Sequence, residues 1–392
     1  MNLIDYLDPV DLEKTGFRPS AGKSLFGNAI HIYSEPGDMP PLDDAAIAIL
    51  GVPEDRTTVG NRGCADGPDA IRTYLYALAA HTSLPHIVDI GNITRAETPS
   101  DMQYALAEVL YKLLERNLTV LILGGGQEFT FGNYKAYEIL GRVVNICAIN
   151  SHFAIGEDQS SNITSLSYLR HIVEQMPNYL FNFNNLGYQS YFIPADTQRL
   201  MQSLMFDTYR LGEVRADMEL AEAVLRNSNL VSVDISAVRQ SDAPAQGLPS
   251  PHGFYGEELC TLAHYAGLSD NVSSFGLYGL NPRLDSHGQT AHLCAHAVWY
   301  FIEGCANRKN DYPKRNPDNY LRFVVAMPDA DPQMVFYKSK LTNRWWFEVP
   351  NNNASQGGPQ CYLIPCTYAE YEQTRNGHIP ERWWHFYQRH NS

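Results

Sequence analysis

The sequence predicts an α/β protein, three-layer α/β/α around a mostly parallel central sheet, with a small aromatic-rich extension at its C-terminal end. Three observations predict it. Apolar runs of strand length alternate with helical stretches along residues 44–304, and short links between them leave a parallel sheet covered on both faces. Three of those runs, 121–128, 143–152 and 230–236, end in Gly, Gln, Glu, Asn, Ser, His or Asp. Their ends converge on one polar cleft at the carboxyl edge of the sheet, where open α/β sheets bind ligands. Beyond residue 310 the composition turns to Pro, Asn, Arg and aromatics.

Taken in order, residues 1–40 are a lead-in expected to drape over the core, ahead of a main unit over 41–309 and the extension over 310–392. The run 44–53 is the first buried strand. The polar, Gly-rich loop 54–68 after it is of the kind that carries either a binding site or nothing. Pro68 opens a helix, in whose first turn a missing N–H costs nothing. A short strand follows at 86–91, then a helix from Thr98 to Leu114 with Leu106, Val109, Leu110 and Leu113 on one face. Next come the glycine strand, a helix over 134–140, the strand 143–152, a rim loop over 156–170 and a strand-like piece at 182–189. A helix over 213–225 leads into the strand 230–236. A helix over 256–266 closed by Gly267, the strand 272–282 and a helix over 290–304 complete the unit. In the extension 321–326, 333–338 and 344–350 read as strands, 351–359 as a turn-rich loop and 368–375 as a short helix. Four of the five tryptophans lie there, which favours a unit adhering to the core or to another copy over a free linker.

A chain of 392 residues with 44% hydrophobic content can build a full core, so global disorder is excluded. The net charge of −14 argues against a nucleic-acid partner, which would call for Lys and Arg to displace phosphate counterions. No apolar run approaches the ~18 residues that span a bilayer, and the first residues lack a signal-peptide pattern. A cytoplasmic protein without a membrane partner is expected. Seven scattered cysteines without a C-x-x-C pair suit reduced thiols. Cys147, inside an apolar strand, is expected to be buried and inert, and Cys361 and Cys366 to be packed thiols in a strand and turn.

Seven blocks occur in a telling order: Gly51-Val-Pro53, Gly63-Cys-Ala-Asp-Gly-Pro-Asp-Ala-Ile-Arg72, Val88-Asp-Ile-Gly-Asn92, Gly124-Gly-Gly-Gln-Glu128, Asn150-Ser-His152, Ser232-Val-Asp-Ile-Ser236 and Leu280-Asn-Pro282. Together they resemble the ureohydrolase superfamily of arginase, agmatinase and formimidoylglutamase, over roughly residues 45–305. Asn185-Leu-Gly-Tyr-Gln189 and the Ser160-Ser-Asn-Ile-Thr164 loop place the resemblance nearest the formimidoylglutamase branch. The resemblance implies an arginase-like fold and, in active members, two Mn²⁺ ions sharing a hydroxide that attacks a guanidinium or formimino carbon. It also implies trimers or hexamers in some relatives and dimers in others, so a homo-oligomer is possible.

Set against the family's patterns, each ligand motif is altered. The histidine of Gly-Gly-Gly-His-Asp falls on Gln127 and its neighbour on Glu128. The aspartates of Asp-Ala-His-x-Asp fall on Asn150 and Ala154, leaving His152. In Ser-x-Asp-x-Asp, Asp234 is kept and its partner is Ser236. The glutamate two residues before Asn-Pro is Gly279. One imidazole and one carboxylate meet neither the charge balance nor the coordination number of two divalent ions. The changes fit one another, because carboxylates crowded without a cation repel.

Two readings follow. In the first, the dinuclear manganese site is lost, no cofactor is expected, no catalytic residue is assigned, and the chain is a pseudoenzyme with a binding or assembly role and a possible small-molecule ligand in the cleft. In the second, a formimidoylglutamase-like hydrolase of a non-peptide C–N bond works with Mn on a rebuilt or mononuclear site made by His152, Asp234 and Glu128. The simpler expectations are that Gln127 and Glu128 satisfy backbone groups at a strand end, that His152 is a hydrogen-bonded core histidine, and that Asp234 caps the next turn. His252 is expected to face solvent, Asp242 to line the cleft mouth, and His287, His292 and His296 to be packing residues. The glycines at 124–126 make neither a dinucleotide nor a phosphate-loop signature.

Overall fold

The strands at the centre of the molecule carry buried side chains on both faces, as a sheet covered on both sides requires. The computed structural model describes residues 2–20, 22–80, 83–156, 162–314, 317–327, 330–352 and 360–391. Ser160 and Ser161 of the branch-marking loop and 353–359 of the turn-rich loop lie outside the described residues. Among the described residues, ten strands form the main sheet. They are β1 (Leu7–Asp8), β2 (His31–Ile32), β3 (Ile47–Val52), β4 (Ile87–Ile93), β5 (Thr119–Gly124), β6 (Val144–Ile149), β7 (Leu180–Tyr188), β8 (Asp207–Arg210), β9 (Leu230–Asp234) and β10 (Ser274–Tyr278). The order is β1-β4-β3-β5-β10-β9-β6-β7-β8, with β2 also on β4; every pairing is parallel except that of β1 with β4.

Alternate residues of the central strands enter two separate cores, which is the three-layer architecture expressed as packing. Ile47, Ile49, Leu121, Leu123, Val231, Val233 and Phe275 meet the helices Gly67–Leu75, Met218–Arg226, Gly256–Leu268 and Gln289–Ala306 on one face. Ala48, Leu50, Val120, Ile122 and Ile146 meet the helices Pro99–Glu115, Thr130–Ile139 and Tyr168–Val173 on the other. The block 63–72 holds one of these helices to its strand. Arg72, fully buried, donates from Nε and Nη2 to the two oxygens of Asp89, both at 2.9 Å, and Tyr76 adds a third donor at 2.7 Å.

Several elements differ from the expectations. The lead-in supplies β1 and β2 to the sheet edge, with Leu7 opposite Ile93 and His31 opposite Val88. The helix expected over 213–225 is two, Leu211–Ala216 and Met218–Arg226, because Asp217 leaves helical geometry to accept Leu220 N–H and cap the second. Gly267 closes nothing: the helix continues to Leu268, and a Cβ at Gly267 would lie 2.1 Å from the Phe301 carbonyl oxygen, so this glycine admits the neighbouring helix. Strand β8 lies outside the expected set, since Asp-Thr-Tyr-Arg has no apolar alternation and serves as an edge.

The extension is an antiparallel sheet in the order β11 (Tyr320–Met327), β12 (Ala330–Ser339), β13 (Trp345–Pro350) and β14 (Cys361–Cys366), with helices Tyr368–Arg375 and Glu381–Asn391. It adheres to the core through the entry ends of β7 to β9. His385 meets Asp207 at 2.9 Å, Arg389 donates to Asn182, Phe181 packs on Phe386, and Arg226 donates to the Trp345 carbonyl. The cleft lies at the opposite, carboxyl end of the main sheet. Cys361 and Cys366 both lie in β14, not in a strand and turn, and both thiols are raised by burial. Cys147 is buried in β6 and its thiol is raised by desolvation, as an inert cysteine should be.

Candidate ligand cleft

The exit ends of β5, β6, β9 and β10 bring positions singled out in the sequence together. Strand β5 runs into a single 3₁₀ turn, Gln127–Phe129, and this turn aims two neighbouring side chains in different directions. Gln127, 1% exposed, faces the cleft floor. Its Nε2 donates to the Ser232 hydroxyl at 3.1 Å, and its Oε1 accepts from Asn150 Nδ2 at 2.6 Å. Asn150 Oδ1 in turn accepts the backbone N–H of His152 at 3.1 Å, and Ser232 is linked to Thr130 at 2.6 Å. The result is a connected chain of neutral donors and acceptors across four elements.

Glu128 points away from that chain. Its Oε1 accepts from Thr58 at 2.7 Å and Thr57 at 3.1 Å in the loop after β3, and its Oε2, fully buried, has no partner among the described residues. Burial pushes its carboxyl up to about 7, against which the threonine hydrogen bonds work. The glycines before it allow this closure: a Cβ on Gly125 would lie 1.9 Å from the Glu54 carbonyl, and one on Gly126 2.0 Å from both Glu128 and Thr58.

His152 and Asp234 are each engaged locally. His152 Nδ1 is 2.8 Å from the Ser151 hydroxyl, and its ring stacks on Phe192 with centroids 4.6 Å apart; burial lowers its pKa, which keeps it neutral. Asp234 accepts the Ser236 backbone N–H at 2.7 Å and so caps the turn after β9, while burial raises its carboxyl. Ser236 is 5% exposed, and Ala154 is buried with its carbonyl accepting from Leu169. Gly279 adopts φ 85°, and a Cβ there would lie 3.1 Å from an Asp234 oxygen. The cleft therefore unites Gln127, Asn150, His152, Asp234, Ser236 and Gly279 on one floor and leaves Glu128 behind it. Among the described residues, no three of His, Cys, Asp and Glu are placed to hold a metal ion.

Beside the floor is an open cavity of about 530 Å³, lined by Gln189, Arg210, Arg239, His252 and Tyr255 among others. Gln189 joins it to the cleft, with its backbone N–H on Ser151 O at 3.0 Å and its Nε2 on His252 O at 3.1 Å. The Arg215 and Arg239 guanidinium carbons each lie 4.0 Å from the Tyr255 ring centroid. His252 is exposed, as expected. Asp242 accepts from Arg239 at 2.9 Å and from the Gly256 N–H at 2.9 Å, which lowers its carboxyl, and it lines a neighbouring cavity instead. His287 is exposed and so is not the packing residue expected, whereas His292 and His296 pack on each other with Tyr74 stacked on His292. Sequence reasoning missed Ser232, Thr57, Thr58 and Phe192 as members of the site. The loop 54–68 stands out in the sequence as a whole, and nothing in it singles out two threonines.

The arginase family model matches residues 45–303, and the chain belongs to this family. Its similarities fall on the formimidoylglutamase branch. It is 26% identical to the formimidoylglutamase of Lysinibacillus sphaericus over 67% of this chain and 85% of that one, and 24% identical to that of Halobacterium salinarum over 71% and 93%. Among solved structures it shares its fold with Trypanosoma cruzi formiminoglutamase with Mn²⁺₂, at TM-score 0.64 and 22% identity over 69% of this chain and 97% of that one. It shares it also with Bacillus subtilis formimidoylglutamase, at TM-score 0.62 and 18% identity over 76% and 98%. The structure with manganese corrects the expectation of no cofactor: Mn²⁺ is the ion to which the family points. Tested against an ion pair, the floor does not fit, since Gln127 and Asn150 bond each other and no three metal-ligating side chains converge there among the described residues. No helix among the described residues is long and apolar enough to cross a membrane.

Proposed function

We propose that this chain is a formimidoylglutamase-like protein in which the dinuclear manganese site has given way to a neutral hydrogen-bonded floor, leaving a pseudoenzyme whose cleft and adjoining cavity bind a small polar molecule. The observation that carries the reading is the 2.6 Å bond between Asn150 and Gln127. Those two positions are where the resemblance places an aspartate and a histidine of the ion pair, and here each satisfies the other. A ligand would enter over His252 and meet Gln189, Arg210 and Tyr255, groups that orient polar molecules but supply no activated water. The hydrolytic alternative is disfavoured by Glu128, whose carboxyl faces Thr57 and Thr58 instead of His152.

The test is turnover. Full-length protein preincubated with Mn²⁺ is assayed for product from formiminoglutamate, arginine and agmatine, with a formimidoylglutamase as positive control. The proposal expects no product above the protein-free rate from any of the three. Turnover that disappears in Asp234→Asn would overturn it.

A further inference from the structure

The extension sheet ends in two outer strands, β14 and β11, and their edges are treated differently. The β14 edge is closed. At the end of the β13–β14 ladder the Asn351 N–H donates to the Gln360 carbonyl at 3.0 Å, so alternation turns the main-chain groups of Cys361, Leu363 and Pro365 outward. Lys314 Nζ donates to the Cys361 carbonyl at 2.9 Å, and Arg382 Nη2 to that of Pro365 at 3.0 Å. Pro365 has no N–H to offer, which is the usual place for a proline in a sheet.

The β11 edge is open. The Lys340 N–H donates to the Asn319 carbonyl at 2.8 Å at the end of the β11–β12 ladder. By the same alternation Leu321, Phe323 and Val325 turn their main-chain groups to β12, and Tyr320, Arg322 and Val324 turn theirs outward. Among the described residues no hydrogen bond reaches those outward groups, and Leu321 and Val324 are each 46% exposed. Edge strands are ordinarily blunted by proline, by several charges, by a bulge or by a covering segment. From Tyr320 to Val325 this strand carries one arginine and none of the others, since its irregularity falls after Val325. The edge is also held firmly, with the Phe323 ring packed on Trp345 and Tyr371 at centroid distances of 5.2 and 5.4 Å.

We propose that β11 pairs antiparallel with β11 of a second copy of this chain, about a two-fold axis at Phe323, so that two four-stranded sheets become one continuous sheet. The strand is complementary to itself in that register. Arg322 and Val324 exchange main-chain bonds with the partner's Val324 and the partner's Arg322, both of which face outward. On the other side of the sheet Phe323 meets the partner's Phe323, and Leu321 meets the partner's Val325, apolar against apolar. An axis at Arg322 would instead set two guanidinium groups directly opposite, which destabilises a strand pair. With the axis at Phe323 each arginine stem covers an exposed valine. The pairing uses the same edge of both copies, so the assembly closes at two. It belongs to the extension, which lies beyond the family match at 45–303.

The experiment is sedimentation velocity of the full-length protein over a series from about 1 µM to about 100 µM, the range in which a one-strand interface should dissociate. A reversible monomer–dimer equilibrium is expected. Val324→Pro removes an outward N–H that the β11–β12 ladder does not use, and raises the dissociation constant more than about tenfold. Val324→Lys sets a second cation against the partner's Arg322 and does the same with the backbone unaltered. Thermal melts of both variants at their lowest concentration separate folding defects from lost pairing. A monomer at every concentration would overturn the proposal and leave the edge to a strand of another protein. An oligomer that survives both substitutions would overturn it as well, by placing the contact elsewhere.

Discussion

The two ends of the main sheet solve the same problem in opposite ways. At the exit ends of β5, β6 and β9, the gathered groups are mostly neutral amides and hydroxyls joined to one another, with Asp234 capping the turn beside them. At the entry ends of β7 to β9, where the extension adheres, the gathered groups are charged: Arg226 with Glu222, Arg344 with Glu222, and His385 with Asp207. Arg382 with Glu370 continues this charged set inside the extension. Buried charge without a partner is costly, whereas buried amides satisfied in pairs are not. The cleft joins neutral groups, and the seam pairs charged ones.

That contrast can be broken in four ways, which differ in the size of their expected effect. The largest belongs to Glu370→Ala, which removes the partner of Arg382, 9% exposed and 3.1 Å away, and should cost about 3–5 kcal/mol in urea unfolding. A loss below about 1 kcal/mol would deny that the charged set on the extension side depends on pairing. Next, Glu128→Gln tests the buried carboxylate behind the cleft floor. Its folded pKa is raised to about 7, so its contribution is fully present below the unfolded value near 4.5 and is lost as pH rises through 7. At about 1.4 kcal/mol per unit, the wild type loses roughly 3 kcal/mol across that window. The variant should therefore be the more stable protein at high pH and lose its advantage toward low pH; parallel pH profiles for the two proteins would contradict the burial argument.

Gln127→Ala leaves Asn150 Nδ2 and the Ser232 hydroxyl each short of a partner, an expected loss of about 1–3 kcal/mol by thermal melts. A neutral outcome would mean that the floor is not a connected network. The smallest effect belongs to the half-buried His385. Its pKa is raised by the hydrogen bond to Asp207, so its contribution is complete below the ordinary histidine value and fades as pH rises through the raised one. His385→Gln should cost less than about 1 kcal/mol at low pH and nothing at high pH.

The parts legible in the sequence are those written in contiguous residues. The apolar runs mark the central strands because both faces are buried, and most of the family blocks mark strand ends because each is a contiguous stretch at or beside one. The parts not legible depend on residues far apart. Glu128 cannot be aimed from its position beside Gln127, because the threonines that hold it lie some seventy residues earlier. Arg226 reads as the basic end of an amphipathic helix, and only the return of β13 and β14 beneath the sheet turns it into a buried cation. Gly267 has the composition of a helix stop and the surroundings of a helix crossing. The last helix, Glu381–Asn391, is hidden by its polar content, with Trp383 and Phe386 as its buried face.

The most direct test of the central claim is the manganese stoichiometry of the full-length protein, by inductively coupled plasma mass spectrometry after incubation with excess Mn²⁺ and exhaustive dialysis. The proposed loss of the ion pair predicts fewer than about 0.1 equivalents of manganese per chain, because site affinity depends on a full set of deprotonated ligands. About two equivalents retained, and lost in Asp234→Ala or His152→Ala, would contradict the claim and return the cleft to the family's chemistry.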